Sequence, residues 1–327
     1  MTLPASFLKS LEGIQGFSRE AFELVHQSGE QVTSVRLNPA KTEGVLPPEF
    51  VSQVDAIPWA RLGYYLRQRP SFTFDPLFHA GNYYVQEASS MFLEQAMIQL
   101  TQETAPVKVL DLCASPGGKS THLQSLLPAG SLLVSNEVIR SRAAVLRDNI
   151  VKWGAEQVVV TNNDPKDFSG LESFFDVLVV DAPCSGSGLF RRDPEAIGEW
   201  SLNNVQLCSQ RQQRILADCW PALKENGLLI FSTCSYSREE DEEIMDWIQQ
   251  ELDAENCPLK INEEWGIQET ASPGGNLGYR FWPDKVKGEG FFLACFRKRN
   301  GENPGHIKPK KPPERATRAE KEYVTRW

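Results

Sequence analysis

From Val107 onward, short apolar segments of the chain alternate with longer amphipathic segments. The apolar segments have the length and composition of buried strands, and they are Val107–Leu112, Ser131–Asn136, Gln157–Thr161, Phe175–Asp181 and Gly227–Ser232. The amphipathic segments predict helices, at Ser120–Leu127, Arg140–Trp153, Asn203–Leu223 and Glu239–Glu251. Strands and helices that alternate in this way form a mostly parallel sheet with helices packed on it. We therefore predict an α/β fold with a Rossmann-like sheet.

The segments before and after this alternation predict smaller elements. Near the N-terminus the pattern is that of a small α+β region, with elements at Ser6–Leu11, Arg19–His26, Thr33–Leu37, Gly81–Val85 and Glu87–Leu100. Of these, Thr33–Leu37 and the end of Gly81–Val85 predict strands, and the others predict helices. Gly290–Arg297 predicts a last strand, antiparallel at the far side of the sheet.

The composition fits one large domain or two modest ones. Of 327 residues, 41% are hydrophobic, which is enough for a substantial core, and no run of 18 or more apolar residues predicts a membrane span. The seven cysteines lack a Cys-x-x-Cys pair, so neither a disulfide framework nor a zinc site is expected. The first residues show no charged-then-apolar leader. We expect a monomeric, cytoplasmic protein with free thiols, no bound metal and no membrane partner.

Charged residues are unevenly distributed along the chain. The net charge is −9, yet the stretch from Arg297 to Trp327 holds ten Lys/Arg and four Asp/Glu. The part before it holds 24 Lys/Arg and 39 Asp/Glu. A protein with this balance would bind a nucleic acid through local basic strips and not through a global positive field.

One predicted strand-to-helix turn has the composition of a ligand loop. Lys119 opens the helix, and the turn before it consists of Cys113, Ala114, Ser115, Pro116, Gly117 and Gly118. In such a turn, backbone N–H groups at the helix N-terminus face a ligand. The turn has neither the Gly-x-Gly-x-x-Gly pattern nor the spacing of a nucleotide-phosphate loop. It suits a nucleoside that carries an amino-acid tail better than a pyrophosphate.

Acidic residues stand at the ends of four of the five predicted strands, namely Asp111, Glu137, Asp164 and Asp181. The ligand of an open α/β sheet lies beyond the carboxyl ends of the strands, so we expect these acids around one crevice. Glu137 lies 26 residues after Asp111, which suits a carboxylate that accepts from both ribose hydroxyls. We expect Asp164 beside the base and Asp181 at the cationic end of the ligand.

Two strand ends also carry a cysteine: Cys184 lies in DAPCSGSG and Cys234 in STCSYS. Neighbouring strands lie about 5 Å apart, so both thiols would overhang one pocket if these strands are adjacent. Buried cysteine is more often an inert apolar residue than a nucleophile. Here the surrounding Pro, Gly and Ser place both cysteines in turns at the ligand edge, and we expect them to take part in chemistry.

Three motifs in order, DLCASPGGKSTHL, DAPCSGSG and STCSYS, resemble the RNA cytosine-5 methyltransferases of the NOL1/NOP2/Sun family. The resemblance covers roughly residues 30–298 and is greatest for the RsmF-type enzymes, which modify small-subunit ribosomal RNA. It implies a class I methyltransferase fold, with S-adenosylmethionine as methyl donor and RNA as partner. By motif position it implies a cofactor site at Cys113–Lys119, Glu137, Asp164 and Asp181. It also implies Cys234 as the nucleophile and Cys184 as a second thiol.

With RNA as the expected partner, the chain divides into an N-terminal RNA-binding region, 1–75, a methyltransferase domain, 76–298, and a basic, proline-rich extension, 299–327. The extension is expected to help hold RNA. In the N-terminal region the residues expected to hold RNA are Arg36, Arg61, Arg67 and Arg69.

The implied reaction follows from the reactivity of cytosine. C5 of cytosine is not nucleophilic until a thiolate adds to C6. Lys119 and the cationic sulfonium would favour the thiolate of Cys234, and Lys119 would also orient the base or the cofactor carboxylate. Asp181 is expected to hold the N3/N4 edge of the base. The target base must enter a pocket, so the expected substrate is single-stranded or flipped-out RNA.

Other functions agree with parts of the same pattern. An adenine or guanine amino-methyltransferase needs no thiol and would have a second proline where Cys184 stands, and a DNA cytosine methyltransferase would use Cys184 as nucleophile. A non-catalytic RNA-binding or ribosome assembly factor, or an enzyme that modifies tRNA, would share the fold. A nicotinamide-dependent dehydrogenase is the weakest alternative, because Gly-x-Gly-x-x-Gly is missing. The acidic stretch Arg238–Glu243 is interpreted either as a helix N-terminal cap or as catalytic.

Overall fold

The computed structural model describes residues 2–45, 54–101 and 104–300, together with Thr317 and Lys321. Its first elements are α1 (Ala5–Leu11), α2 (Arg19–Gln27), β1 (Thr33–Leu37), α3 (Pro39–Thr42), β2 (Val54–Ala56), β3 (Gly63–Leu66), α4 (Pro76–His79) and β4 (Tyr83–Val85). The strands form an antiparallel sheet in the order β2-β3-β1-β4. Helices α1 and α2 and strands β1 and β4 confirm the sequence pattern, whereas β2 and β3 were not predicted.

Arg36, on β1, lies buried where this sheet meets the rest of the molecule. Its guanidinium donates to Gln86 Oε1 at 2.8 Å and to Thr121 Oγ1 at 2.6 Å, and it lies 4.6 Å from the centroid of the Trp153 ring. Burial lowers the pKa of Arg36 to about 9. The prediction that Arg36 holds RNA is wrong, because the residue is 1% exposed and its donors are used inside the protein.

The second half of the fold is a large sheet covered by helices. Its elements are α5 (Leu93–Leu100), β5 (Lys108–Asp111), α6 (Gly118–Leu126), β6 (Leu132–Asn136), α7 (Arg140–Trp153), β7 (Val158–Thr161), β8 (Phe175–Asp181), α8 (Ala196–Glu199), α9 (Leu202–Cys219), β9 (Leu223–Thr233), α10 (Glu242–Glu251), β10 (Ala254–Asn256), β11 (Gln268–Ala271), β12 (Leu277–Phe281) and β13 (Phe291–Lys298). The strands follow the order β11-β12-β13-β9-β8-β5-β6-β7. The run from β9 to β7 is parallel, which confirms the predicted Rossmann-like sheet.

The last strand, β13, is antiparallel to β9 as predicted, but it does not lie at the edge of the sheet. Strands β12 and β11 continue the sheet beyond it, and β10 also pairs with β13. None of these three strands was predicted. The segments of β10 and β11 are short and largely polar, and all three become strands by pairing with their neighbours.

Three predicted helices are shorter than the hydrophobic pattern indicated. Residues Ser89–Phe92 form a 3₁₀ turn, so α5 begins only at Leu93. The helix α9 ends at Cys219, because Pro221 cannot continue it and β9 starts at Leu223. Residues before Glu242 form another 3₁₀ turn, which delays the start of α10.

Aromatic side chains join the N-terminal helices to the loop that follows β9. The ring of Phe7, on α1, lies 6.4 Å from the ring of Tyr236, and that of Phe22, on α2, lies 5.2 Å from it. Tyr236 stacks on Trp282 with ring centroids 5.1 Å apart. All four side chains are buried. Helices α1 and α2 therefore support one of the loops that carry the candidate chemistry.

The N-terminal sheet reaches beyond residue 75, because β4 pairs with β1. The division into an RNA-binding region and a methyltransferase domain stays a prediction. Most of the basic extension after residue 299 lies outside the described residues. Within the ranges that the structure covers, the helices are too short or too polar to cross a lipid bilayer.

Candidate active site

The carboxyl ends of β5, β6 and β7 form one part of the site, which we call the cofactor edge; it carries Asp111, Glu137 and Asp164. The turn between β5 and α6 belongs to it. Gly117, in this turn, has a φ of +111°, and a Cβ there would lie 3.2 Å from Leu146 Cδ1. Because L-residues with a side chain rarely adopt such a φ, the turn needs glycine at this position.

Helix α7 holds the turn in place. Arg142 donates from Nη2 to the Ser115 carbonyl at 3.1 Å, and Ser115 Oγ donates to the Arg142 carbonyl at 3.0 Å. Asn149 Nδ2 donates to the Pro116 carbonyl at 2.8 Å. The Nε atom of Arg142 also lies 3.6 Å from Glu137 Oε2. Arg142, which sequence reasoning missed, thus joins the predicted turn to the predicted acid at the end of β6.

Glu137 and Asp164 lie on linked loops. Glu137 is buried, and its Oε1 accepts from the Ile139 backbone N at 2.9 Å. Asn162 Nδ2 donates to the Glu137 carbonyl at 2.6 Å. Asp164 Oδ1 accepts from the Lys166 backbone N at 3.2 Å, and the carboxylate caps the 3₁₀ turn that follows it. Both acids reach the cofactor edge, but Asp164 uses part of its carboxylate as a cap.

Asp111 is fully buried at the centre of the site. Its Oδ2 accepts from Ser120 Oγ at 2.6 Å, and its Oδ1 has no hydrogen-bond partner among the described residues. Burial raises the pKa of Asp111 to about 7; the hydrogen bond from Ser120 opposes this, and the charges of Asp181 and Glu137 add to it. A buried carboxyl group with an unpartnered oxygen and acidic neighbours is suited to a cationic ligand.

Lys119 and Asp181 connect the cofactor edge to the rest of the site. Lys119 Nζ lies 2.8 Å from Asp181 Oδ2 and 5.1 Å from the centroid of the Phe291 ring. Burial lowers the pKa of Lys119, but the charge and hydrogen bond of Asp181, together with the charge of Asp111, outweigh burial, so the pKa is raised. Asp181 Oδ1 accepts from Ser232 Oγ at 2.8 Å, on the neighbouring strand. The pair is therefore a fixed cation and anion at the boundary of β8 and β9.

The carboxyl ends of β8 and β9 form the second part of the site, the thiol edge, which carries Cys184 and Cys234. The two strands are parallel neighbours, as predicted. The Sγ atoms lie 3.1 Å apart and share a hydrogen bond. This distance is well above the length of about 2.05 Å of a disulfide bond, and both residues are free thiols. The structure thus brings both cysteines to one place, as the sequence predicted.

The loops that carry the two thiols are hydrogen-bonded to each other. Gly188 N donates to the Cys234 carbonyl at 2.8 Å, and Tyr236 N donates to Ser187 Oγ at 3.0 Å. The hydrogen bond with Cys234 and burial raise the pKa of the Cys184 thiol well above its usual value. Cys184 therefore keeps its proton at neutral pH in this state.

Three acids of the stretch Arg238–Glu243, namely Glu240, Asp241 and Glu242, are buried. Asp241 precedes α10 but makes no side-chain cap hydrogen bond, so the interpretation as a cap is wrong. Thr233 Oγ1 donates to Asp241 Oδ1 at 2.6 Å, and Glu242 pairs with the buried Arg280. Glu240 contacts both thiol-bearing loops. The sequence does carry a signal for this contact, since a serine follows each of the two cysteines.

Two families of known proteins match the chain. The family described as 16S rRNA methyltransferase RsmB/F matches residues 97–297. The N-terminal domain of 16S rRNA methyltransferase RsmF matches residues 3–88. Together they cover most of the described residues and confirm the resemblance that the three motifs carry.

Individual proteins agree with these matches. Ribosomal RNA small subunit methyltransferase F of Pectobacterium atrosepticum is 30% identical over 91% of this chain and 63% of its own length. The protein of the same name from Aeromonas salmonicida is 31% identical over 94% of this chain and 67% of its own length. A solved structure of a methyltransferase homolog from Pyrococcus horikoshii superposes with a TM-score of 0.71 at 27% identity, covering 90% of this chain and 100% of that one.

The chain spans between half and two thirds of the length of the curated relatives it matches. The match of the catalytic family nevertheless runs through both edges of the site, from before β5 to the end of β13. The fold is that of the S-adenosylmethionine-dependent methyltransferases, and the chain belongs to the RsmB/F methyltransferase family.

Proposed function

We propose that the protein is an S-adenosylmethionine-dependent RNA methyltransferase that forms 5-methylcytosine, with 16S ribosomal RNA as substrate. The observation that carries the proposal is the pair of thiols, 3.1 Å apart at the ends of neighbouring strands and close to the Lys119–Asp181 ion pair. Activation of a pyrimidine at C5 needs a thiolate that adds to C6, whereas methylation of an exocyclic amine does not. Membership of the RsmB/F family supports ribosomal RNA as the substrate.

The cofactor edge fits S-adenosylmethionine. The unpartnered Oδ1 of Asp111 and the acidic neighbours that raise its pKa would be stabilised by the positive charges of the cofactor. In this proposal Glu137 accepts from the ribose hydroxyls, Asp164 lies beside the base, and Asp181 faces the cationic end. The turn Cys113–Lys119 holds the amino-acid tail. When bound, the cofactor supplies an electrophilic methyl group to C5 of the target base.

Cys234 is the nucleophile of the proposed reaction. Its Sγ forms a bond to C6 of cytosine, and the electron pair of the C5–C6 double bond moves toward C5, which becomes able to take up the methyl group. Lys119 interacts electrostatically with Cys234, and its proposed role is to stabilise the attacking sulfur. Lys119 and Asp181 are also placed to orient the base, with Asp181 at its N3/N4 edge.

Cys184 acts in the second half of the reaction. After methylation a base takes up the C5 proton, the electrons of the C5–H bond re-form the C5–C6 double bond, and the electrons of the bond between C6 and Sγ return to Cys234, which leaves as a thiolate. Cys184 lies within hydrogen-bond distance of the sulfur that must depart. Its proposed role is to assist this release.

A denaturing gel with radiolabelled RNA tests the assignment. We expect Cys234→Ala to abolish both methylation and any covalent RNA–protein adduct. We expect Cys184→Ala to form the adduct and accumulate it, because release is hindered. A DNA-type mechanism would show the reverse pattern, and an amine methyltransferase or a non-catalytic assembly factor would show no adduct in either variant.

The source of the RNA is tested with three substrates: 16S ribosomal RNA, the assembled small subunit and tRNA. Methylation of tRNA in preference to both ribosomal substrates would overturn this part of the proposal. Bisulfite sequencing of the ribosomal product locates the modified cytosine. A monomeric state and a cytoplasmic location belong to the same proposal, and all seven cysteines are free thiols, as a reducing compartment requires.

RNA contacts are proposed for three arginines of the N-terminal region and for the basic extension. Arg61 and Arg67 form ion pairs with Glu94 and Asp55, but their side chains are 65% and 61% exposed. Arg69 lies over the ring of Phe72.

Removal of residues 308–327 should weaken RNA binding and flatten its salt dependence while cofactor affinity stays unchanged. Unchanged RNA affinity after this truncation would remove the extension from the proposal.

A further inference from the structure

The carboxylate of Glu240 lies between the two thiol-bearing loops. Glu240 is fully buried, at 0% exposure. Its Oε1 accepts from the Ser185 backbone N at 2.7 Å, and its Oε2 accepts from Ser185 Oγ and Ser235 Oγ, each at 2.6 Å. Ser185 follows Cys184 and Ser235 follows Cys234 in the chain. One side chain is therefore bonded to the residue after each thiol.

We propose that Glu240 is a positioning residue that fixes the spacing of Cys184 and Cys234 and keeps their roles different. The proposal rests on the cytosine-5 reaction proposed above, in which one thiol attacks and the other assists release. Glu240 does not touch the substrate or the cofactor in this scheme. It acts through the two serines.

The spacing of the thiols depends on contacts between the two loops. Hydrogen bonds at Gly188 and Tyr236 join these loops, and Ser185 Oγ lies 3.4 Å from Ser235 Oγ. Glu240 adds the link next to the sulfur-bearing residues themselves, and Ser235 Oγ extends it by accepting from the Ser237 backbone N at 3.0 Å. A displacement of about 1 Å in a reacting group can lower a rate by about 100-fold, so this link matters for both steps.

Charge is arranged unequally around the two thiols. The positive charge of Lys119 interacts with Cys234, whereas the negative charge of Glu240 contributes to the raised pKa of Cys184, after the hydrogen bond with Cys234 and burial. A cation beside a thiol favours its thiolate, and an anion beside it favours the protonated form. The arrangement thus favours the protonated form of Cys184, which suits the thiol that does not attack in the proposed reaction.

The alternative to a positioning role is that Glu240 only stabilises the fold. Buried carboxylates that are hydrogen-bonded do stabilise loops, and their loss then lowers the melting temperature. A purely structural role would leave the relative reactivity of the two thiols unchanged in molecules that remain folded. The test therefore measures thiol selectivity as well as rate.

The main variant is Glu240→Gln, which keeps the size of the side chain and removes its charge and one acceptor. Glu243→Gln is the matched control, because Glu243 is an exposed acid on the same segment. We expect Glu240→Gln to lower kcat for RNA methylation by about 10- to 100-fold while KM for RNA and the affinity for S-adenosylmethionine stay within about 2-fold. Glu243→Gln should behave like the unchanged protein in every measurement.

The second measurement is alkylation by iodoacetamide, with the labelled cysteines quantified by peptide mass spectrometry. In the unchanged protein Cys234 should react faster than Cys184. In Glu240→Gln the rate for Cys234 divided by the rate for Cys184 should fall by at least about 3-fold. The removal of an anion from beside Cys184 favours its thiolate and so raises the rate at Cys184. This measurement needs no RNA, so it separates a failure of the positioning role from a failure of the proposed reaction.

The proposal is overturned if Glu240→Gln keeps either the kcat or the labelling ratio of the unchanged protein, or if cofactor affinity falls as far as kcat does. Ser235→Ala serves if Glu240→Gln does not fold, since it keeps the charge of Glu240 and removes its link to the Cys234 loop, together with the acceptor of the Ser237 backbone N. Ser235→Ala should lower kcat, and its labelling ratio should lie closer to that of the unchanged protein than the ratio of Glu240→Gln does. Absence of methylation in the unchanged protein, with the labelling shift still present in Glu240→Gln, would contradict the proposed function and leave the positioning role standing.

Discussion

The two edges of the site are built from contacts of different range. At the cofactor edge, Asp111 accepts from Ser120, 9 residues away, and Glu137 accepts from Ile139, 2 residues away. At the thiol edge, Glu240 and Ser185 are 55 residues apart in the chain, and the two cysteines are 50 residues apart. Phe7, on the first helix, also packs near Tyr236. Asp111 and Glu137 are thus held by near neighbours in the chain, although helix α7 holds the turn of this edge over 27 to 33 residues, whereas the thiol edge is assembled from more distant segments.

This difference predicts how substitutions will act. A local edge can lose ligand affinity without much loss of global stability, because few long-range contacts depend on it. An edge assembled from distant segments is coupled to folding, so damage there should appear both in stability and in rate. The predictions below test this contrast, starting with the largest expected effect.

The largest effect is expected for Arg280, which supports the thiol edge from β12. Its side chain is 1% exposed, pairs with Glu242, lies 3.0 Å from Asp241 Oδ2 and donates to the Tyr236 carbonyl at 3.2 Å. Arg280→Met leaves two buried carboxylates without their cation, and we expect a loss of about 3–5 kcal/mol in the free energy of unfolding. Urea denaturation measures it.

Arg299→Met is the control for Arg280. Arg299 forms an ion pair with Glu255 at 3.8 Å, but the two side chains are 52% and 64% exposed. An exposed pair of this kind contributes about 1 kcal/mol or less. Equal losses of unfolding free energy in the two variants would contradict the conclusion that the buried ion pairs of Arg280 stabilise the protein more than an exposed pair does. A loss of stability without any loss of methylation in the folded fraction would contradict the coupling of the thiol edge to folding.

At the cofactor edge the second prediction concerns pH. Burial raises the folded-state pKa of Asp111 to about 7, well above the value of about 3.9 in an unfolded chain. Below about pH 4 both states hold the proton, and above about pH 7 neither does. Between these values the folded state alone holds it, so this group makes the protein less stable as the pH rises, by about 1.4 kcal/mol per unit.

Asp111→Asn should remove this dependence. Relative to the unchanged protein, the variant should gain about 3 kcal/mol of stability between pH 5 and pH 8, as measured by urea denaturation at both values. Its affinity for S-adenosylmethionine should fall, because the carboxylate that faces a cationic ligand is lost. Parallel pH profiles of the two proteins would show that Asp111 ionises normally in the folded state.

The range of contacts also explains what could be predicted from the sequence. The strands β5 to β9 follow from local hydrophobic pattern, and the residues at their ends follow from position alone. The turn Cys113–Gly118 and the acids after each strand were therefore found without a structure. Strand β11 was not, because Gln268–Ala271 is polar and becomes a strand only by pairing with β12.

Charged residues that are buried were the main source of error. Arg36 was predicted to be a surface cation. Its partners Gln86 and Thr121 lie 50 and 85 residues away along the chain. Glu240 lies in an acidic run of the sequence, but its partner Ser185 lies on the loop that follows β8. The serine after each cysteine provides a donor on each loop, but no local pattern identifies its acceptor, since that depends on the packing of distant segments. The sequence therefore located the candidate site residues at the strand ends but not the residues that hold them.

A smaller effect is expected for Glu137, which has an oxygen within 3.6 Å of Arg142. Glu137→Ala should weaken binding of S-adenosylmethionine by about 1.5–3 kcal/mol, the range for hydrogen bonds to a charged group. Calorimetry measures the affinity. Glu156→Ala, an exposed acid after α7, is the control and should leave it unchanged. No binding by the unchanged protein would contradict the cofactor assignment itself.

The smallest effect is expected for Gly117→Ala, which perturbs the cofactor edge alone. The φ of +111° is unfavourable for alanine, and the new Cβ would lie 3.2 Å from Leu146, so the turn must shift at a cost of about 1–2 kcal/mol. Gly198→Ala, in α8 with open space around it, should instead be neutral or slightly stabilising. Cofactor affinity should fall in Gly117→Ala, while the relative alkylation rates of Cys184 and Cys234 stay unchanged, because the turn shares no hydrogen bond with Glu240 or its serines in the described residues. A change in the thiol ratio would show that the two edges are coupled through Lys119, the residue that follows this turn and contacts Asp181.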